Sequence, residues 1–275
     1  MQTYKLICAD LDATLLNSEM TISEENEKAI QALAEQGVHF VPNTGRTFKE
    51  IPETIRSNPH IRHIIYSDGA AIYDKETDST DGCFLPRALY LRILDLLNEY
   101  ESLSTVRTGG ISFLDERQFN VECMNYHQVG KYYQDFIFAT NVPVKNFDSF
   151  SHTIDNVEMI CTFFHDDRDC EECVKRIEEI GGTMIVSSMV HNIEILSEHA
   201  GKGTALLRLA DRLGIDQKET IAVGDSKNDC DMLRAASLGI AVKNAWPELK
   251  EVADTVADCT NDEHIASYLL KNYFA

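Results

Sequence analysis

The sequence predicts an α/β fold, a doubly wound parallel sheet interrupted by an inserted α/β domain, on three observations. An apolar run, Leu6 to Ala9, closes on the carboxylates Asp10 and Asp12, the pattern of a strand buried on both faces whose carboxyl end opens onto a ligand site. At both ends of the chain, short apolar runs alternate with amphipathic helical stretches, which is the rhythm of βαβ units. Between Cys83 and Asn156 the texture changes to shorter strand-like pieces rich in aromatic and polar residues, and the α/β rhythm then returns.

Each element has a local reason. Ser23 caps an apolar stripe at Ala29, Ile30 and Leu33, Gly37 ends that helix, and residues 38–41 form the next strand. A second helix is expected over Phe48 to Ile55, leading to a strand over 61–66 that continues the parallel sheet and closes on the turn Ser67-Asp68-Gly69-Ala70. Beyond Cys83 a helix carries Leu89, Ile93, Leu96 and Leu97. A later one runs to Ile180, followed by strands at 184–186 and 193–196. The closing segment reads as a helix from about Gly203 to Leu213, a strand at 220–223, a helix through Met232 and Leu233, a strand at 239–242 and a helix ending near Tyr273. The expected division is a core of residues 1–83 and 195–275 with an insert of 84–194.

The formal charge of −20 over 275 residues excludes nucleic acid and anionic membrane as partners, because both need a basic footprint. An anionic substrate therefore requires cations concentrated locally, by a metal ion or by placed Lys and Arg. No charged segment followed by an apolar signal core stands at Met1 to Tyr4, and no later apolar run approaches ~20 residues, so a cytoplasmic, soluble protein is expected. Eight scattered cysteines fit reduced thiols. Cys170 and Cys173 have the spacing of half a zinc site, but the amphipathic helix carrying Val174, Ile177 and Ile180 accounts for them more simply.

Four clusters at strand ends or helix starts can carry chemistry. Asp10 and Asp12 come first, although Asp and Thr are also ordinary turn formers. Thr44-Gly45-Arg46 follows the strand at 38–41, where a hydroxyl, a backbone N–H and a helix amino terminus can hold an anion, or can simply cap and turn. Lys202, between Gly201 and Gly203, opens a helix against its macrodipole at a cost of roughly 0.3–1 kcal/mol, so local stability does not ask for it. Gly224-Asp225-Ser226-Lys227-Asn228-Asp229 crowds two carboxylates and an amide into one turn, where like charges raise each other's pKa unless a cation compensates. Hard oxygen ligands from Asp10, Asp12 and Asp225 suit Mg²⁺.

Asp10-x-Asp12-x-Thr14, Thr44-Gly45-Arg46, Lys202-Gly203 and Gly224-Asp225-x-x-Asn228-Asp229, in that order and with a long insert before the lysine, resemble the four motifs of the haloacid dehalogenase-like superfamily. The insert's position, the Ser67 to Ala70 turn and His191-Asn192-Ile193-Glu194-Ile195 are similar to the Cof-type sugar-phosphate phosphatases, which carry a large α/β cap. Two positions depart from that pattern. Ala13 stands where glycine is usual, which costs little if its φ is negative, and Asp68 stands where asparagine is commoner, adding an acid near the expected substrate entrance.

The resemblance implies a Rossmann-like core and a Mg²⁺-dependent phosphatase of small phosphorylated metabolites. Asp10 would be the nucleophile and Asp12 the acid and base. Asp10, the Asp12 carbonyl and Asp225 would hold Mg²⁺, with Asp229 as a further ligand or a support behind them. Leu11, Thr44, Gly45, Lys202 and Asn228 would cradle the phosphoryl oxygens. The cap would close over the site and select the leaving group, and Tyr126, His127, Tyr132 and Tyr133 offer either a sugar pocket or ordinary packing. A monomer or homodimer is expected. The same motifs also suit a sugar phosphomutase, and the fold suits a non-catalytic binder of phosphorylated metabolites.

Overall fold

The computed structural model describes residues 4–187 and 191–274; Met1 to Thr3, which the sequence leads into the first strand, lie outside them. The chain divides into two compact units. The first holds residues 1–46, 51–82 and 201–275, and the second holds 47–50 and 83–200.

The first unit is built on a parallel sheet. The unit's strands, which form this sheet and a smaller one, are β1 (Leu6–Ala9), β2 (His39–Pro42), β3 (His63–Tyr66), β4 (Ala71–Asp74) and β5 (Ser79–Gly82). Three more, β12 (Thr220–Gly224), β13 (Leu238–Ala241) and β14 (Thr255–Val256), come from its carboxyl-terminal part. The order is β14-β13-β12-β1-β2, all parallel. Leu6, Ile7, Cys8 and Ala9 are fully buried, as the apolar run at the centre of such a sheet requires. Burial at full depth is worth about 1.5–3 kcal/mol for each large aliphatic side chain, so this strand contributes strongly to the core.

Helix Glu24–Glu35 starts where expected, with Ser23 Oγ accepting from the Asn26 N–H, and Gly37 takes φ +80° at its end. Helices Lys202–Leu213, Cys230–Ala235 and Ile265–Tyr273 complete the α/β rhythm.

Two expectations are corrected here. No continuous helix spans Phe48 to Ile55. A single 3₁₀ turn at Phe48–Glu50 and a short helix at Glu53–Arg56 flank Pro52, whose missing N–H and fixed φ break the helical pattern. Nor does β3 simply extend the parallel sheet. It runs parallel to the end of β2, as expected, but is joined to it only by an Asn43–Ile65 bridge in which the Thr44 N–H donates to the Ile65 carbonyl, and its ladder is with an antiparallel meander, β3-β4-β5.

The second unit has its own six-stranded sheet: β6 (Ser102–Thr108), β7 (Ile111–Asp115), β8 (Val142–Val144), β9 (Val157–Phe164), β10 (Thr183–Val186) and β11 (Asn192–Ser197). The order is β10-β11-β9-β6-β7-β8, antiparallel except for β7 with β8. Val106, Ile160, Ile193 and Ile195 build one core with Tyr90, Ile93 and Leu97 of helix Arg87–Leu97 and with Cys173 and Ile177 of helix Asp167–Ile180. That packing explains the Cys170 and Cys173 spacing as a helix face, and all eight cysteines are free thiols. Among the described residues no helix is long and apolar enough to cross a membrane.

Candidate active site

All four sequence clusters of the first unit lie at the carboxyl ends of its strands or beside them. Asp10 follows β1 directly. The chain then winds through one wide turn, Leu11–Leu15, in which the Leu15 N–H donates to the Asp10 carbonyl and the Leu16 N–H to that of Leu11. Ala13 adopts φ +53° within that turn. The condition under which its methyl group would cost little is therefore not met, because a side chain in the left-handed region costs roughly 1–2 kcal/mol relative to glycine.

Lys202 is the centre of the cluster. Its ammonium is 1 % exposed and donates to Asp10 Oδ1 and to Asp229 Oδ1, both at 2.7 Å, with Asp68 Oδ1 at 4.0 Å. The second oxygen of Asp229 accepts from the backbone N–H groups of Asp225 and Ser226, so this carboxylate shapes the loop as well as pairing with the lysine. Gly224 leaves room for it, since a Cβ there would sit 2.5 Å from the Asp229 carboxyl carbon. Asp225 receives the Thr14 hydroxyl at 3.3 Å.

Helix Lys202–Leu213 is held at its start by Asp231, whose carboxylate accepts from the Gly203 N–H at 2.9 Å. Asn43 Nδ2 donates to the Lys202 carbonyl at 3.0 Å. Gly69 has φ +85°, and a Cβ on it would lie 2.1 Å from the Gly201 carbonyl oxygen; the Gly201 N–H in turn donates to the Asp68 carbonyl. The turn after β3 is thereby seated against the start of the lysine helix.

The electrostatics follow from burial. Asp10 is 5 % exposed and its pKa is pushed well above the carboxylate range by burial, with Lys202 pulling it down and Asp229, Asp225 and Asp12 adding to the rise. Asp225 is raised to about 7, by burial first and then by Asp229. Burial alone would lower the Lys202 pKa, but Asp10, Asp229 and Asp68 outweigh it and hold the ammonium charged. Carboxylate oxygens of Asp10, Asp225 and Asp229 lie within 4.8 Å of one another. Three buried hard donors with excess negative charge fit a small divalent cation such as Mg²⁺.

Other expected residues sit differently from what their sequence context suggests. Thr44 is 1 % exposed, but it starts no helix: its carbonyl receives the Asp68 N–H, its Oγ1 receives the Arg46 N–H, and the first helical turn comes only at Phe48. Gly45 lies against Asp68, whose carboxylate would be 3.0 Å from a Cβ there. Asn228 donates through Nδ2 to Asp68 Oδ1 at 3.2 Å and accepts the Ser226 hydroxyl. Asp68 is itself 2 % exposed, so it belongs to the buried charge network and not to an entrance.

Asp12 points its carboxylate into Arg46, which binds both oxygens at 2.6 and 2.8 Å. Sequence reasoning placed Arg46 in a motif without a partner, and the two residues' separation of 34 positions carries no signal of the pair. In the second unit, the Tyr126 ring stacks on His165 at 4.2 Å, Tyr132 is 64 % exposed and Tyr133 packs on Phe163 at 5.5 Å.

A buried acid beside a fixed ammonium, with two more acids at metal-binding distance, suits phosphoryl transfer. Comparison with known proteins agrees. Residues 7–269 match the family model of the haloacid dehalogenase-like hydrolases. The chain is 33 % identical to phosphatase YwpJ of Bacillus subtilis over 98 % of its own length and 99 % of the relative's. It is 28 % identical to 5-amino-6-(5-phospho-D-ribitylamino)uracil phosphatase YcsE of the same organism, covering 95 % and 93 %. A solved haloacid dehalogenase-like hydrolase from B. subtilis superposes with a TM-score of 0.81 at 31 % identity, over 98 % of this chain and 99 % of that one. The chain therefore belongs to the haloacid dehalogenase-like hydrolases, in their Cof-type branch of phosphatases.

Proposed function

We propose that this enzyme is a Mg²⁺-dependent phosphatase of small phosphorylated metabolites that works through an aspartyl-phosphate on Asp10. The observation that supports it most is the buried Asp10–Lys202–Asp229 arrangement, with Lys202 Nζ 2.7 Å from each carboxylate. An Asp10 oxygen attacks phosphorus, and the bond from phosphorus to the ester oxygen breaks. Asp12 gives its proton to the departing oxygen, then takes one from the water that attacks the aspartyl-phosphate, releasing inorganic phosphate and restoring Asp10. For either transfer the Arg46 guanidinium must yield the Asp12 carboxylate.

Lys202, Thr44, Asn228 and the N–H groups of Leu11 and Gly45 hold the phosphoryl oxygens, whose charge redistributes in the transition state. Asp10, the Asp12 carbonyl and Asp225 would hold Mg²⁺, with Asp229 as a further ligand or a support behind them, and the ion would supply neutralisation of phosphoryl charge. Residues 84–194 select the leaving group. The relatives that bear the name of a ribitylaminouracil phosphatase put that compound, beside hexose and pentose phosphates, at the head of a substrate panel. The test is phosphate release from the panel with Mg²⁺ and with EDTA. Turnover that survives EDTA, or survives Asp10→Asn, refutes the reading.

A further inference from the structure

At the amino-terminal ends of β2 and β3 a cavity of about 200 Å³ is lined by His39, His60, Arg62 and His63 together with Phe40 and Pro59. It lies at the other end of the sheet from Asp10. His39 opens β2, whereas Pro42 pairs with Ala9, so three residues of strand, about 10 Å, separate the two ends.

His63 is 1 % exposed. Its Nε2 lies 3.5 Å from an Asp74 oxygen, while its Nδ1 is buried with no hydrogen-bond partner among the described residues. An orphaned ring nitrogen inside a protein costs about 1–3 kcal/mol unless something else uses it. The His39 ring stands 6.0 Å from that of His63 with the planes at 50°. Two imidazoles on one tetrahedral ion, with metal–nitrogen bonds of about 2.0–2.1 Å, have centroids about 5 Å apart. The observed separation is about 1 Å wider than that, within reach of a small side-chain adjustment.

Charge and protonation agree with that use. Burial lowers the pKa of both rings, that of His63 to about 4, so both are the neutral imidazoles that ligate metals without first losing a proton. Arg62, on the rim, is balanced by Asp74 at 3.5 Å and Glu76 at 2.5 Å. A carboxylate behind one ring nitrogen with the other left open is the arrangement that orients metal-bound histidines.

We propose that His39 and His63 form a second metal site, for a first-row transition ion such as Zn²⁺ or Co²⁺, with Asp74 orienting His63 and solvent completing the coordination. Donor chemistry separates it from the acid cluster: imidazole selects Zn, Cu, Ni and Co, whereas a set made only of oxygens selects Mg²⁺.

The experiment is equilibrium dialysis of the full chain against Co²⁺ in excess Mg²⁺, followed by visible absorption of the bound ion. One Co²⁺ per chain is expected in the parent and in Asp225→Asn. Affinity falls at least tenfold in His39→Gln and in His63→Gln, and about 10–100-fold in Asp74→Asn, while phosphatase activity in Mg²⁺ stays at the parent level in His39→Gln. His39 is only half-buried, so its variant keeps the test valid if His63→Gln folds poorly. The proposal is overturned if no Co²⁺ binds under excess Mg²⁺, if both histidine variants bind it as the parent does, or if Asp225→Asn is the change that abolishes it.

Discussion

Replacing Lys202 by Met keeps the length of a buried side chain and removes its charge. In the parent, the ammonium neutralises Asp10 and Asp229 at 2.7 Å each, in a site where Lys202 is 1 % exposed. Without it two buried carboxylates face each other, and breaking a buried ion pair by removing one partner costs about 3–5 kcal/mol. At about 2–4 °C per kcal/mol for a chain of this size, the melting temperature at pH 8 in EDTA falls on the order of 10 °C. The loss depends on pH in a definite direction. Burial already holds the Asp10 pKa well above the carboxylate range, and losing Lys202 raises it further. The folded variant then binds a proton that the unfolded chain does not, so its stability is lost as pH rises through the folded pKa and is recovered below it. Thermal unfolding by circular dichroism at pH 5.5 and pH 8 measures both. A variant as stable as the parent at pH 8, or one whose deficit is the same at both pH values, refutes the charge-balance argument.

The other predictions address separate parts of the first unit. Ala13→Gly relieves the φ +53° backbone and should raise stability by about 0.5–1 kcal/mol, after the greater freedom of unfolded glycine is subtracted; the urea midpoint reports it. Gly224→Ala drives a Cβ to 2.5 Å from the Asp229 carboxyl and should weaken Mg²⁺ binding about 10–100-fold, as loss of a supporting partner does, read by titration calorimetry. Trp246, the sole tryptophan, donates its backbone N–H to the Asp225 carbonyl, so Mg²⁺ should change its fluorescence in the parent and not in Asp225→Asn. His63, held at about 4 against an ordinary 6.5, contributes stability that is complete above pH 6.5 and drains away as pH falls to 4, because the unfolded chain takes up the proton first. In EDTA, His63→Gln should flatten that part of the melting-temperature profile.

What could be read from the sequence follows the physics of each segment. The run Leu6 to Ala9 was legible because both faces of a central strand must be apolar, and Ser23 and Gly37 were legible because caps depend on a few local residues. The hairpin β4–β5 was not: β5 is Ser-Thr-Asp-Gly, three of its four residues exposed, with no apolar alternation and only Thr80 as a β-branched residue to announce it. The Phe48 to Ile55 stretch misled through its helical spacing, which Pro52 overrides. The convergence of Asp10, Lys202, Asp225 and Asp229 was foreseeable, since strand order in a parallel sheet delivers their loops to one edge. The clasp of Asp12 by Arg46 and the burial of Asp68 were not, because side-chain partners far apart in the chain leave no periodic trace.

The contact of Gly69 with Gly201 bears on how such a protein can diversify. The carbonyl of one glycine occupies the space where the other would carry a side chain, and the Gly201 N–H is bonded to the Asp68 carbonyl, so the return point of the chain is fastened within the first unit itself. Lys202, with its two buried ion pairs, follows at the next residue. Its placement is therefore indifferent to how many residues the intervening excursion contains, and doubling the length of a flexible excursion costs only about 0.6 kcal/mol of closure entropy. The segment between β5 and Gly201 can lengthen, shorten or be exchanged wholesale over generations while the position of Lys202 beside Asp10 and Asp229 is inherited intact.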